Sequence, residues 1–182
     1  MANRERTMGV RMPRWARWVV GAALLLAGLP ASAGSAQRRS AAKALLAGEA
    51  IGGVRMGMTP LRVIAQLGKP SRVWKRNVEH DGSVTIRWWW EGHAAEMLFC
   101  GASVKTVSVC GLEIVRPSRL TTSKGIGIGS TLRDLDAAYG AGHDPRPEDN
   151  GMYVVGEEGG LAFDVGFDKT VDAIYWGRDT GP

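Results

Sequence analysis

Cysteine and histidine are scarce in this 182-residue chain, with two and three copies respectively, and that scarcity limits its chemistry at once. Structural zinc sites draw on clustered Cys and His, whereas His80, His93 and His143 stand apart. His93 and Glu96 have a helical metal-ligand spacing, but they fall where the pattern reads as loop and strand. There is no Gly-x-Ser-x-Gly elbow and no phosphate loop, and no βαβ unit surrounds the Gly125 to Gly129 run. No catalytic residue, metal or cofactor is expected. A long apolar run is missing as well: Val19 to Leu29 gives 11 residues, where a spanning helix needs about 20.

The formal charge of +5 is unevenly placed. Arg4, Arg6, Arg11, Arg14 and Arg17, against the single acid Glu5, precede the short apolar run, which ends in Pro30-Ala31-Ser32-Ala33. A basic stretch, a short apolar core and a small-x-small end form a secretory signal peptide. Residues 1–33 are therefore read as that signal, with cleavage after Ala33 or Ala36 and a periplasmic or secreted destination. No Cys lies nearby to take a lipid. Without residues 1–33 the net charge falls to +1, split between 13 bases and 6 acids in residues 34–119 and 5 bases and 11 acids in residues 120–182. The mature chain is a charge dipole with near-zero total, which argues against a nucleic-acid partner.

An internal repeat organises the rest. Gly57 to Gly68 (GMTPLRVIAQLG) matches Gly129 to Gly140 (GSTLRDLDAAYG) at a constant offset of 72, both glycines and the threonine included, as a duplicated supersecondary unit would. Each copy reads as a short helix. Thr59 and Thr131 sit at the N-cap, Pro60 fits the first turn, and Gly68 and Gly140 stop the helix in the left-handed conformation. Val63, Ile64 and Leu67 share one face, as do Leu135, Ala138 and Tyr139.

Alternating β-branched and aromatic residues follow each helix. Strands are expected at Arg72 to Lys75, Val84 to Trp90, Glu96 to Cys100 and Val104 to Val109, then at Gly151 to Val155, Leu161 to Val165 and Val171 to Trp176. Short connections make these antiparallel meanders. The expected fold is α+β: two tandem helix-plus-meander repeats sharing one sheet, with the helices packed on one face. Its parts are an Ala-rich tail at 34–50, a basic Trp-rich repeat at 51–110, a linker at 111–124 and an acidic repeat at 125–182. A proline-containing loop is expected at Asp144 to Asn150.

The duplicated Gly-x-Thr helix ending in Gly, followed by a meander and preceded by a secretion signal, resembles the β-lactamase inhibitory protein architecture of two helix-plus-sheet repeats. It is also similar to the single repeat of the SmpA/OmlA (BamE) outer-membrane assembly group, whose lipid site this chain lacks. The first resemblance implies a protein-binding module, with an open sheet face and hairpin loops that reach into an enzyme cleft. The second implies a structural role in envelope assembly. A small hydrolase is a third and weaker alternative.

Strand alternation puts Val84, Ile86, Trp88 and Trp90 toward the core and Thr85, Arg87, Trp89 and Glu91 on the other face. Trp89 beside Arg87 is then an aromatic and guanidinium pair of the kind that anchors protein interfaces. Trp74, Tyr153 and Tyr175 are expected to share that open face. The hairpin tip Glu79-His80-Asp81-Gly82 holds Asp81, which the inhibitor resemblance makes a contact with a cationic site, and which also suits a tight turn. The partner is thus a protein, bound by a monomer. In an oxidising compartment Cys100 and Cys110 are expected to form a disulfide. A hairpin turning at Gly101 to Ser103 would hold them near 20 Å apart at about 3.3 Å per residue, against a limit of about 7 Å. Either the strand assignment fails there or the thiols are not partners within one hairpin.

Overall fold

A computed structural model describes residues 31–74, 77–78, 80–144, 151–156 and 160–177. The chain divides into Met1–Ala33 and Gly34–Pro182, and the second unit holds the fold described below. The basic and apolar stretches read as a signal lie outside the described residues. Among those described, no helix is long and apolar enough to cross a membrane.

Among the described residues, three α-helices and nine strands make an α+β architecture. Helix α1 covers Ala31–Leu46, α2 Pro60–Leu67 and α3 Leu132–Tyr139. The strands are β1 Arg72–Val73, β2 Asn77–Val78, β3 Val84–Trp90, β4 Ala95–Gly101, β5 Ser108–Val115, β6 His143–Asp144, β7 Met152–Val155, β8 Leu161–Val165 and β9 Val171–Gly177. They form one antiparallel sheet in the order β1-β3-β4-β5-β9-β8-β7-β6, with β2 also pairing β3. β1 meets the Trp88–Trp89 end of β3 and β2 meets its Val84–Thr85 end, so the two share one edge. The last strands of the two halves, β5 and β9, pair at the centre of the sheet.

The punctuation of the two helices works in different ways. Gly68 takes φ +79° and returns its N–H to the carbonyl of Ile64. Thr131 and Asp134 form a reciprocal capping box. Thr59 makes no side-chain cap bond, and Arg62 at the third helical position has no acceptor with which to complete a capping box. Gly140 departs from the left-handed stop: at φ −51° it continues as a short 3-10 turn, Gly140–Gly142. The turn packs against α1: a Cβ on Gly142 would sit 3.1 Å from the Ala42 Cα and 2.9 Å from Leu45 Cδ1. The Ala-rich segment is therefore a helix pressed onto the core, with Ala42 buried and Leu45 and Leu46 packed against it.

All three helices cover one sheet face. Val63, Leu135 and Tyr139 cluster with Trp90, Met97, Phe99, Leu112, Ile114, Phe163 and Ile174, and the Trp90 indole donates to the Gly68 carbonyl at 2.9 Å. At the N-terminal end of this layer lies Glu49, 2% exposed. Its Oε2 accepts from the Tyr139 hydroxyl at 2.7 Å, and its Oε1 accepts from the Ala50 N–H, the Ser123 N–H and the Ser123 hydroxyl. One carboxylate thus ties the segment after α1 to the chain before α3 and to α3 itself.

The last strand of the first half corrects the sequence reading. Val104 to Val109 is a turn for most of its length, and β5 begins at Ser108 and runs to Val115, through the first part of the expected linker. Phe99 pairs Val109, while Leu98 pairs Gly111, so Cys110 is the extra residue of a bulge. This later start resolves the cysteine geometry. Cys100 faces Ser108 instead of Val104, and the Cys100–Cys110 disulfide spans 5.7 Å between Cα atoms.

Candidate functional site

The helix-free face is built by the alternate residues of the strands whose other residues make the core. In β3 the core side takes Val84, Ile86, Trp88 and Trp90, which leaves Thr85, Arg87 and Trp89 on the open side. The register carries this face across the sheet: Arg72 lies opposite Trp89, Trp89 opposite Glu96, Glu96 opposite Glu113, Glu113 opposite Tyr175 and Tyr175 opposite Ala162. The Trp74 N–H donates to the Arg87 carbonyl at 3.0 Å, so Trp74 joins the row of Arg87. Trp74, Arg87, Trp89 and Tyr175 therefore share the open face, where alternation places them.

At one margin of this face an open cleft of about 730 Å³ is lined by Val73, Trp74, Asn77, Thr85, Arg87 and Glu96. Trp74 is 41% exposed. Arg87 meets Glu96 through Nε at 3.2 Å and is half-exposed, so the outer edge of its guanidinium faces the cleft. A second acid lies one strand further in. Burial raises the pKa of Glu113 above the usual carboxylate range, the charge of Glu96 adds to this, and Arg87 opposes it. Burial likewise raises the Tyr175 hydroxyl, with the Glu113 and Asp164 charges acting in the same direction. The face thus runs from an aromatic and cationic margin at β1–β3 to an acidic centre at β4, β5 and β8. Cys100 lies opposite Thr85, so the disulfide fastens β4 to β5 beside the cleft.

Two expected site residues lie elsewhere. Tyr153 is 2% exposed and points to the helix side: its hydroxyl donates to Asp136 Oδ1 at 3.1 Å, and its ring stacks on His143 at 3.8 Å. Burial, then Asp136, raises its pKa. The alternation of β7 was ambiguous because Met152, Tyr153, Val154 and Val155 are all apolar, and α3 takes the odd-numbered pair. Asp81 is at the hairpin tip as expected, and its Oδ1 accepts from the Ser83 N–H at 2.8 Å, which closes the turn. It stands outside the residues lining the cleft.

One exposed aromatic escaped sequence reasoning. Phe167 is fully exposed at the tip of the β8–β9 turn, which the Asp168-Lys169 pair had marked only as a turn. The tip is held firmly: Asp168 accepts from the Thr170 N–H and hydroxyl, and Arg116 bridges Asp168, Thr170 and Asp172. Pairing of Trp90 with Ala95, Ala95 with Ile114 and Ile114 with Ile174 puts this tip at the opposite end of the strands from Asp81. The two tips cannot enter one cleft side by side.

Among the described residues no group of three or more His, Cys, Asp or Glu side chains is placed to hold a metal ion. The chemistry the open face offers is recognition: an indole, a guanidinium with free donors, and polar groups around an open cleft. Compared with known protein families, with curated proteins and with solved structures, the chain matches none.

Proposed function

We propose that the chain is a secreted or periplasmic module that binds another protein through the helix-free face, with an enzyme as the partner class suggested by the resemblance to tandem-repeat inhibitors. The observation that carries this reading is the concentration of Trp74, Arg87 and Trp89 on one uncovered sheet margin. Tryptophan and arginine dominate interface energetics, and neither Trp74 nor Arg87 is needed to fill the core. The firmly held Phe167 tip supplies a second aromatic contact at the far end of the strands. Pairing of β5 with β9 at the sheet centre, between two halves that each begin with a helix, supports the duplicated-repeat origin of this surface.

The test is affinity capture from culture fluid and periplasmic extract with the immobilised chain and its Trp74→Ala and Arg87→Glu variants. A protein retained by the parent and released by both variants, with unchanged circular dichroism and melting, supports the reading. Equal retention by all three proteins overturns it. In a parallel arm, initial rates of a panel of secreted hydrolases, serine β-lactamases included, are followed as the chain is titrated in. A fall in rate that Arg87→Glu abolishes identifies the partner as an enzyme.

A further inference from the structure

The outer edge of the sheet at β1 and β2 has a property that an open face alone does not. Of the large apolar side chains exposed among the described residues, Val73, Trp74 and Val78 fall within one short stretch, at 60%, 41% and 57%. Val73 and Val78 lie on β1 and β2 at one end of the sheet, and Trp74 directly follows β1. Arg72 pairs Trp89, and the Trp74 N–H is spent on the Arg87 carbonyl, so strand alternation turns the N–H and C=O of Val73 away from β3. An edge with outward backbone groups and apolar side chains is a template for another strand.

Charge selects which strand. Among the described residues of 69–78, Lys69 and Arg72 are basic and none is acidic, and Arg87 adds its guanidinium from the neighbouring strand. Pairing this edge with the same edge of a second copy would set these bases against each other, whereas an acidic strand would meet them favourably. β1 and β2 are two residues long each, which limits the register to a short segment. We propose that the partner surface recognised here is an extended acidic segment, which adds to the sheet beside β1, sets a carboxylate on the outer edge of Arg87 and lays an apolar side chain in the Trp74 cleft. This rests on the protein-binding reading and names the class of segment bound.

The experiment uses the full chain and three labelled probes: a ten-residue peptide of alternating Glu and Val, the same peptide with Lys for Glu, and the Glu peptide N-methylated at alternate amides. Fluorescence anisotropy is expected to show binding of the acidic peptide, weakened about tenfold or more by Arg87→Glu and lost as salt rises. The basic and N-methylated peptides are expected not to bind, because the first is repelled and the second has lost its strand donors. Slowed hydrogen exchange at the Val73 amide on binding would place the peptide on the edge. Equal binding of all three probes, or binding of the acidic peptide with Val73 exchange unchanged, overturns strand addition. No binding by any probe, in a chain that still captures a protein through Trp74 and Arg87, overturns this inference and leaves the protein-binding reading standing.

Discussion

Replacing Glu49 with alanine removes the acceptor for the Tyr139 hydroxyl, the Ser123 N–H and hydroxyl and the Ala50 N–H in one step. Glu49 is 2% exposed, and two of its donors belong to buried residues, Tyr139 and Ala50, so water cannot easily replace the oxygens lost to those two; Ser123 is exposed and can turn to solvent. A hydrogen bond to a charged group contributes about 1.5–3 kcal/mol, and the four share one carboxylate, so they do not add in full. Leaving the buried Tyr139 and Ala50 donors unsatisfied costs about 1–3 kcal/mol each, and about 4 kcal/mol is expected for Glu49→Ala. Against a domain stability of about 5–15 kcal/mol, this moves the protein toward the unfolding threshold. With a urea dependence of about 2 kcal/mol per molar, the midpoint should fall by about 2 M. Glu49→Gln keeps one oxygen and the shape, and should cost less than half as much. Urea unfolding followed by tryptophan fluorescence measures both. A loss under about 1 kcal/mol for Glu49→Ala would refute the claim that this carboxylate fastens the N-terminal segment to α3.

Other expectations follow from single features. Because the folded pKa of Glu113 is raised, its contribution is fully present below its unfolded pKa and is lost as pH rises through the folded value. Glu113→Gln should therefore stabilise the protein at neutral pH, with the gain vanishing in acid below the ordinary carboxylate range; pH-dependent melting reads this, and a gain unchanged in acid contradicts it. Removing the disulfide by Cys100→Ser with Cys110→Ser opens a loop with a sequence separation of 10, for which chain entropy gives a loss of about 2.7 kcal/mol, measurable by urea unfolding under oxidising conditions. Lys169 takes φ +63° in the β8–β9 turn, so Lys169→Gly should raise stability by about 1 kcal/mol. A destabilised Lys169→Gly variant would show that the lysine side chain has a role its backbone geometry does not reveal.

What could be read from the chain, and what could not, separates along physical lines. The helices ending at Leu67 and Tyr139 were marked by glycine and threonine at fixed offsets, because caps are local chemistry. The faces of β3 were legible because Arg87 and Thr85 interrupt an otherwise apolar run with period two. In β7 no polar residue breaks the tie, and Tyr153 lies on the face opposite the one alternation suggests; only packing under α3 decides it. Val104 and Thr106 gave a turn the composition of a strand, while Gly111 gave a strand the look of a linker. The bulge at Cys110 that corrects both depends on pairing with β4. Glu49 looked like an ordinary surface acid, since its partners Ser123 and Tyr139 are distant in sequence. Phe167 sits beside a recognisable turn, and an aromatic next to a Gly-flanked tip was the signal available for it.

Site-specific photo-crosslinking in the producing cell tests the central claim, that the uncovered face at β1–β3 binds a protein, most directly. A photoreactive residue is placed at Trp74, on the margin of the cleft, and in a second strain at Leu61, which is 78% exposed on α2 in the helix layer. The account predicts a discrete protein adduct from position 74, lost when Arg87→Glu is added, and none from position 61. An adduct from position 61 with none from position 74 would contradict it.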